Sequence, residues 1–341
     1  MNIYTSASLI FLAFLLLACG NDDITQKQRF LIRGNNALAE QNYREAIRFY
    51  REAVIIDSCY TPAVNNMGVV YYEQKQYAKA IVAYDNAIAC DREYVDAYIN
   101  RSNAFYELKE YYRALDDLSF AQSQVPDSAQ VYFMQGLVYA KLRQYNKAQN
   151  SFNEALKRDS ANAEIWINRG SVKYYKGNLF SAEEDLKYAL KLDPFEGNAY
   201  NALALIEIER RNYNKALNLI EQALGHESNQ PYYLNNRGYV YLQLEQPDRA
   251  KVDIDKSIVY DPNNAWAYRN KGLYYYKTGD LKEAIRLYQQ ALRLDKYADD
   301  IYWYLAQAYR DAGEGGKACK LLTEALKEGL VEQQKYDELC L

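Results

Sequence analysis

Small and large apolar residues recur along this chain with one fixed period. Ala46, Ala80, Ala114, Ala148, Ala182, Ala216, Ala250, Ala284 and Ala318 follow one another every 34 residues without an insertion. With that alanine as position 20, position 27 holds Ala53, Ala87, Ala121, Ala155, Ala189, Ala223, Ser257, Ala291 and Ala325. Position 24 is always large: Tyr50, Tyr84, Leu118, Phe152, Leu186, Ile220, Ile254, Tyr288 and Leu322. Position 8 is small, with Gly34, Gly68, Gly136, Gly170, Gly238 and Gly272 joined by Ser102, Ala204 and Ala306. Small residues at 8, 20 and 27 let two helices approach closely, and large ones at 4, 11 and 24 fill the space between them. Each period is therefore predicted to be a helical hairpin. Gly177, Gly279 and Gly313 at position 15 suit a left-handed end to its first helix, and Pro126, Pro194 and Pro262 at position 32 stop the second.

This pattern resembles the tetratricopeptide repeat family from Lys27 to Glu332, about nine-tenths of the chain. The resemblance implies an all-α, right-handed superhelical solenoid of nine 34-residue repeats: 27–60, 61–94, 95–128, 129–162, 163–196, 197–230, 231–264, 265–298 and 299–332. Residues 333–341 place Tyr336, Leu339 and Cys340 on positions 4, 7 and 8 of a would-be tenth copy, and are expected to form a short helix capping the last apolar face. The abundance of tyrosine, 36 in all, is largely absorbed by packing at position 11 (Tyr71, Tyr139, Tyr241) and position 17 (Tyr43, Tyr77, Tyr213).

The N-terminus departs from the repeat. Residues 1–18 carry no charge, and Leu9 to Ala18 form an apolar run too short to span a bilayer, as in a signal-peptide core. Leu16-Leu17-Ala18-Cys19-Gly20 resembles a bacterial lipobox, which implies acylation of Cys19 and a tether over 19–26. The expected location is the bacterial cell envelope, as an outer-membrane lipoprotein held by the Cys19 lipid, with the leaflet left open. The remaining four cysteines, Cys59, Cys90, Cys319 and Cys340, match no metal or redox spacing and are expected as free, packed thiols, although export would permit disulfides. Forty-one basic against 45 acidic residues leave a net charge of -4, without the basic excess that nucleic acid requires.

No catalytic constellation emerges, so no enzyme, cofactor, metal or small-molecule substrate is expected. The single histidine, His226, lies near a hairpin end without partner groups, and Gly313-Glu314-Gly315-Gly316-Lys317 lacks the spacing of a phosphate loop. Asp96, Glu164 and Asp300 share position 2 but stand in separate repeats, as solvated charge would. One pattern is particular to this chain: where position 7 is Arg101, Arg169 or Arg237, position 23 is Asp117, Asp185 or Asp253, which predicts three ion pairs within hairpins.

The resemblance implies a scaffold or adaptor that binds extended peptide or partner domains in a concave groove. The alternatives are an architectural subunit of an envelope assembly or secretion complex using its edges or convex face and, less favoured, an accessory to a glycan-acting enzyme. Position 6, about 160° around the helix from packed position 8, is expected to face open space. It holds Asn66, Asn100, Asn168, Asn236 and Asn270, whose amides could pair with a peptide main chain as in the asparagine ladders of related superhelices. Phe133, Tyr239, Trp266 and Trp303 are the expected apolar contacts.

Overall fold

The computed structural model describes residues 26–341, and every regular element among them is helical. The signal peptide, Cys19 and most of the tether lie outside the described residues. The chain divides at Ala161 into two compact units. The first holds four hairpins: α1 (26–39) with α2 (Tyr43–Ile56), α3 (Thr61–Glu73) with α4 (Tyr77–Cys90), α5 (Val95–Glu107) with α6 (Tyr111–Gln124), and α7 (Ala129–Lys141) with α8 (Tyr145–Arg158). The second, from Asn162, holds five: α9 (Ala163–Tyr175) with α10 (Leu179–Leu192), α11 (Gly197–Glu209) with α12 (Tyr213–His226), α13 (Pro231–Gln243) with α14 (Pro247–Tyr260), α15 (Ala265–Thr278) with α16 (Leu281–Leu294), and α17 (Ile301–Asp311) with α18 (Gly315–Lys327). A single helix, α19 (Gln333–Cys340), closes it by packing Tyr336 and Leu339 near Ala306, Ala318 and Leu322.

Packing follows side-chain volume. Every alanine at position 20 is fully buried, and position 27 is fully buried or nearly so in all copies. Position 8 shows why glycine recurs: a Cβ on Gly34, Gly68 or Gly136 would sit 2.3–2.4 Å from the ring of Tyr50, Tyr84 or Phe152 in the facing helix. Gly272 meets Tyr288 in the same way at 2.6 Å. Where position 24 is aromatic, position 8 is glycine, and the Ser or Ala substitutes face only Leu or Ile. The turn geometry is equally regular. Position 15 is left-handed in every copy, not only at its three glycines, since Gln41, Lys75, Lys109, Arg143, Arg211 and Glu245 have φ of 56–62°. After the second helices, Asp57, Asp91, Asp159, Asp193, Asp261 and Asp295 each accept the amide two residues on, an Asx turn that ends the helix.

The three expected ion pairs form, each with two hydrogen bonds. Arg101 Nη2 reaches Asp117 Oδ1 at 2.6 Å, Arg169 Nη2 reaches Asp185 Oδ1 at 2.7 Å, and Arg237 Nε reaches Asp253 Oδ2 at 2.6 Å. Lys271, which faces Leu287 and not an aspartate at position 23 of its own hairpin, takes Asp255 of the preceding one at 2.8 Å. The expectation of free thiols is overturned: Cys59 bonds to Cys90 and Cys319 to Cys340, with Cα atoms 5.2 and 5.5 Å apart. The spacings carried no motif because each bridge joins segments that only packing brings together: the α2–α3 turn with the end of α4, and α18 with the end of α19.

Candidate partner-binding groove

In the second unit, the first helices of successive hairpins stand side by side. Side chains at positions 2, 5, 9, 12 and 13 of these helices line a cavity of about 290 Å³. Repeats five to nine all contribute, from Tyr174 and Tyr175 on α9 to Asp299 and Asp300 just before α17 and Tyr304 within it. A second cavity of about 530 Å³ adjoins it, sharing Tyr174, Tyr175, Glu209, Asp299 and Asp300. At this point α17 departs from the other first helices. It begins two positions later, and Asp300 just before it has a φ of 55°, a left-handed backbone that favours glycine.

The helices of this wall are cross-linked by hydrogen bonds between residues 35 apart, one register step per repeat. Tyr174 Oη donates to Glu209 Oε1 (3.1 Å), Tyr233 Oη to Asn198 Oδ1 (2.8 Å), and Tyr276 Oη to Asp311 Oδ2 (2.5 Å). Trp266 Nε1 donates to Asp299 Oδ2 at 3.1 Å. Arg269 is buried, with Nε and Nη2 on Asn270 Oδ1 and Nη1 on the Asp299 carbonyl. Burial, then the charges of Glu209 and Asp299, push the Tyr174 hydroxyl well above the ordinary tyrosine range. Tyr239 is raised mainly by burial, against the opposing effect of Arg269.

The asparagines correct the expectation of open space at position 6. Asn236 Nδ2 donates to Asn201 Oδ1 (2.9 Å), and Asn270 Nδ2 to Asn235 Oδ1 (2.8 Å), each reaching the preceding repeat, and Asn270 is wholly buried. In the first unit, Asn100 likewise donates to Asn65 (3.1 Å) and Asn66 to Asn35 (2.9 Å). Asn168 bonds its own helix at the Glu164 carbonyl. The 160° rotation considered one hairpin by itself. A stacked helix is flanked by its neighbours as well, and the side opposite position 8 meets the preceding repeat.

Of the expected contacts, Tyr239, Trp266 and Asn236 line the cavity together. Asn168, Asn270 and Trp303 belong to the same unit but do not line it, while Phe133 sits in the first unit with its ring 5.9 Å from Phe152. Sequence reasoning missed Tyr174, Glu209, Arg269, Asp299 and Tyr304. Their signal lies in the columns at positions 12, 13, 5, 1 and 6 of successive copies, legible only once the free sector of the helix is known. His226 is exposed, with its ring beside those of Phe195 and Tyr200. No group of three or more His, Cys, Asp or Glu among the described residues could hold a metal, and no helix among them is long and apolar enough to cross a membrane.

Stacked helical hairpins with a groove walled by their first helices define a solenoid of the protein-interaction type. The chain belongs to the tetratricopeptide repeat family: models described as TPR repeat match residues 68–109 and 272–313, and models described as tetratricopeptide repeat match 133–197, 167–231, 201–265 and 254–286. Among curated relatives, the heat-shock protein cognate co-chaperone sgt12 of Aspergillus fumigatus is 32% identical over 86 residues, covering 25% of this chain and 25% of that protein. The uncharacterized protein ycf37 of Guillardia theta is 34% identical over 92 residues, 26% of this chain and 51% of its own. The chain thus spans between a quarter and half of these relatives' length. Among solved structures, the Cut9–Hcn1 hetero-tetramer of the APC/C superposes with a TM-score of 0.62 at 14% identity, over 82% of this chain and 55% of that one. The pilF protein of Pseudomonas aeruginosa does so with a TM-score of 0.51 at 18% identity, over 61% and 94%. At such identities the likeness is one of fold.

Proposed function

We propose that this protein is a non-enzymatic scaffold of the bacterial envelope, anchored by a lipid on Cys19, which holds an extended segment of a partner protein in the groove of its second unit. The observation that carries this reading is the cavity itself, built from first-helix side chains of five consecutive repeats and carrying amides and aromatic faces together. Amides such as Asn201 and Asn198 can meet a peptide main chain whatever its sequence, while Tyr239 and Trp266 supply apolar contact. The two disulfides support an exported location, because such bonds persist in oxidising compartments. The lipobox-like run before Cys19 supports the anchor.

A photo-crosslinking residue placed at Tyr239 tests the groove in living cells, with one at Val259 beside it. Val259 is 75% exposed on α14 and, with exposed Val252, favours the second reading, an architectural subunit that docks through second helices. A discrete crosslinked partner from Tyr239 and none from Val259 is expected, and the reverse would support the architectural role instead. Mass spectrometry of the mature N-terminus tests the anchor: an unmodified Cys19 removes it.

A further inference from the structure

The groove's charge is specific enough to name what enters it. Three carboxylates, Glu209, Asp299 and Asp300, stand where the two cavities meet, against one buried guanidinium, Arg269. Asp300 is neutralised by Lys335. Glu209 and Asp299 differ, because the groups that orient them are uncharged: a phenol from Tyr174 and an indole from Trp266. A neutral donor fixes a carboxylate without cancelling its charge. The nearest cation to Asp299 is Arg269 at 4.0 Å, and that guanidinium turns its donors to Asn270 and to a main-chain carbonyl. Lys296, lining the second cavity, is paired with Glu328 at 2.8 Å. The Asp299 side chain lines both cavities and is 61% exposed.

Resting on the reading of this groove as a peptide site, we propose that it selects a basic segment, seating one lysine or arginine side chain between Tyr174, Tyr175 and Trp266 with its charge on Glu209 and Asp299. The aromatic faces attract a cation through their quadrupole, and more strongly in a recess than at an open surface. Tyr174 and Tyr175 stand edge to face at 5.4 Å, so an entering cation meets a ring face and two carboxylates together. At about 290 Å³ the first cavity is smaller than most drug-sized ligand sites and fits a single long side chain. The unwound start of repeat nine brings Asp299 to this point, ahead of the first turn of α17.

The test uses the full chain and three fluorescein-labelled nonapeptides of Gly, Ser and Ala, identical except for two central residues: Lys, Gln or Glu. Fluorescence anisotropy is expected to show the Lys peptide binding at least tenfold more tightly than the Gln peptide, with the Glu peptide weakest. The isosteric pair Glu209→Gln and Asp299→Asn, which keeps acceptors for Tyr174 and Trp266, is expected to erase that preference while helicity is unchanged. Should the double variant unfold, raising salt from about 0.05 to 0.5 M on the unaltered chain decides instead: Lys-peptide affinity falls about tenfold or more if charge carries it. Equal binding of all three peptides, a preference surviving the double variant, or affinity indifferent to salt would overturn the basic-segment proposal and leave the groove reading standing. Binding of none of the three overturns both.

Discussion

Individual residues in this array are constrained in pairs across each hairpin. Position 8 and position 24 are one such pair, as every aromatic residue at 24 faces a glycine at 8 and the closest approaches, 2.3–2.4 Å, are to aromatic rings. Gly68→Ala is therefore expected to cost about 1–3 kcal/mol by overpacking against Tyr84, whereas Gly170→Ala, whose Cβ would meet Leu186 at 3.0 Å, costs less. Adding Tyr84→Leu should recover most of the loss, because Ala204 with Ile220 and Ala306 with Leu322 already use that combination. Urea unfolding of the three variants checks this order. Positions 7 and 23 form the second pair. Asp253 is buried under Arg237, so Asp253→Ala leaves a guanidinium short of its partner and is expected to cost about 3 kcal/mol. The double change of Arg237 and Asp253 to leucine reproduces what Leu203 and Leu219 do in repeat six, and should restore much of the stability in the same assay.

At the scale of elements, a first helix inside the stack is flanked by a repeat on either side, while α19 packs only on the last hairpin, α17 and α18. None of its residues is fully buried, and its attachment rests on Tyr336, Leu339, the Lys335–Asp300 ion pair and the Cys319–Cys340 bond. That bridge closes a loop of 21 residues, for which restriction of the unfolded chain contributes about 3 kcal/mol. Cys340→Ser is expected to lower the melting temperature and to make α19 the first site of proteolytic cleavage, as read by mass spectrometry of a time course. An unchanged cleavage pattern would mean that apolar contact alone holds the helix. The capping role matters because α17 and α18 would otherwise end the stack on exposed apolar surface.

For the molecule as a whole, a nearly balanced charge hides buried and half-buried carboxylates that couple folding to pH. Glu207 stands at position 11, where most repeats carry tyrosine, and is buried. Burial alone would raise its pKa, but hydrogen bonds from Lys215, Asn212 and Arg210 outweigh that and hold it below the ordinary 4.5. Glu183 is lowered by Lys187 and Arg210, and Asp255 by Lys251 and Lys271 against its own burial. A carboxyl whose pKa is lower folded than unfolded contributes stability that is full above the unfolded value and disappears as pH falls through the folded one. Asp117, raised by burial in spite of Arg101, has the opposite sign and offsets only part of this. Stability is therefore expected to hold near neutrality and decline below about pH 4.5, and Glu207→Gln should flatten that decline in melts recorded across the acid range.

The helical hairpin, its period, its buried alanines and the three ion pairs were legible in the linear chain, because each depends on residue volume and charge within one 34-residue copy. The aromatic–glycine pairing was also present there, waiting for the observation that positions 8 and 24 touch. What tertiary structure decided depends on neighbours. Whether position 6 is open or bridged is set by the adjacent repeat, and so are the 35-residue hydrogen bonds that tie Asn236 to Asn201 and Tyr174 to Glu209. The disulfides join segments that no spacing rule relates. The groove is the furthest case: Tyr174 and Asp299 are remote in sequence, and only the rotation accumulated over successive hairpins brings them to one cavity.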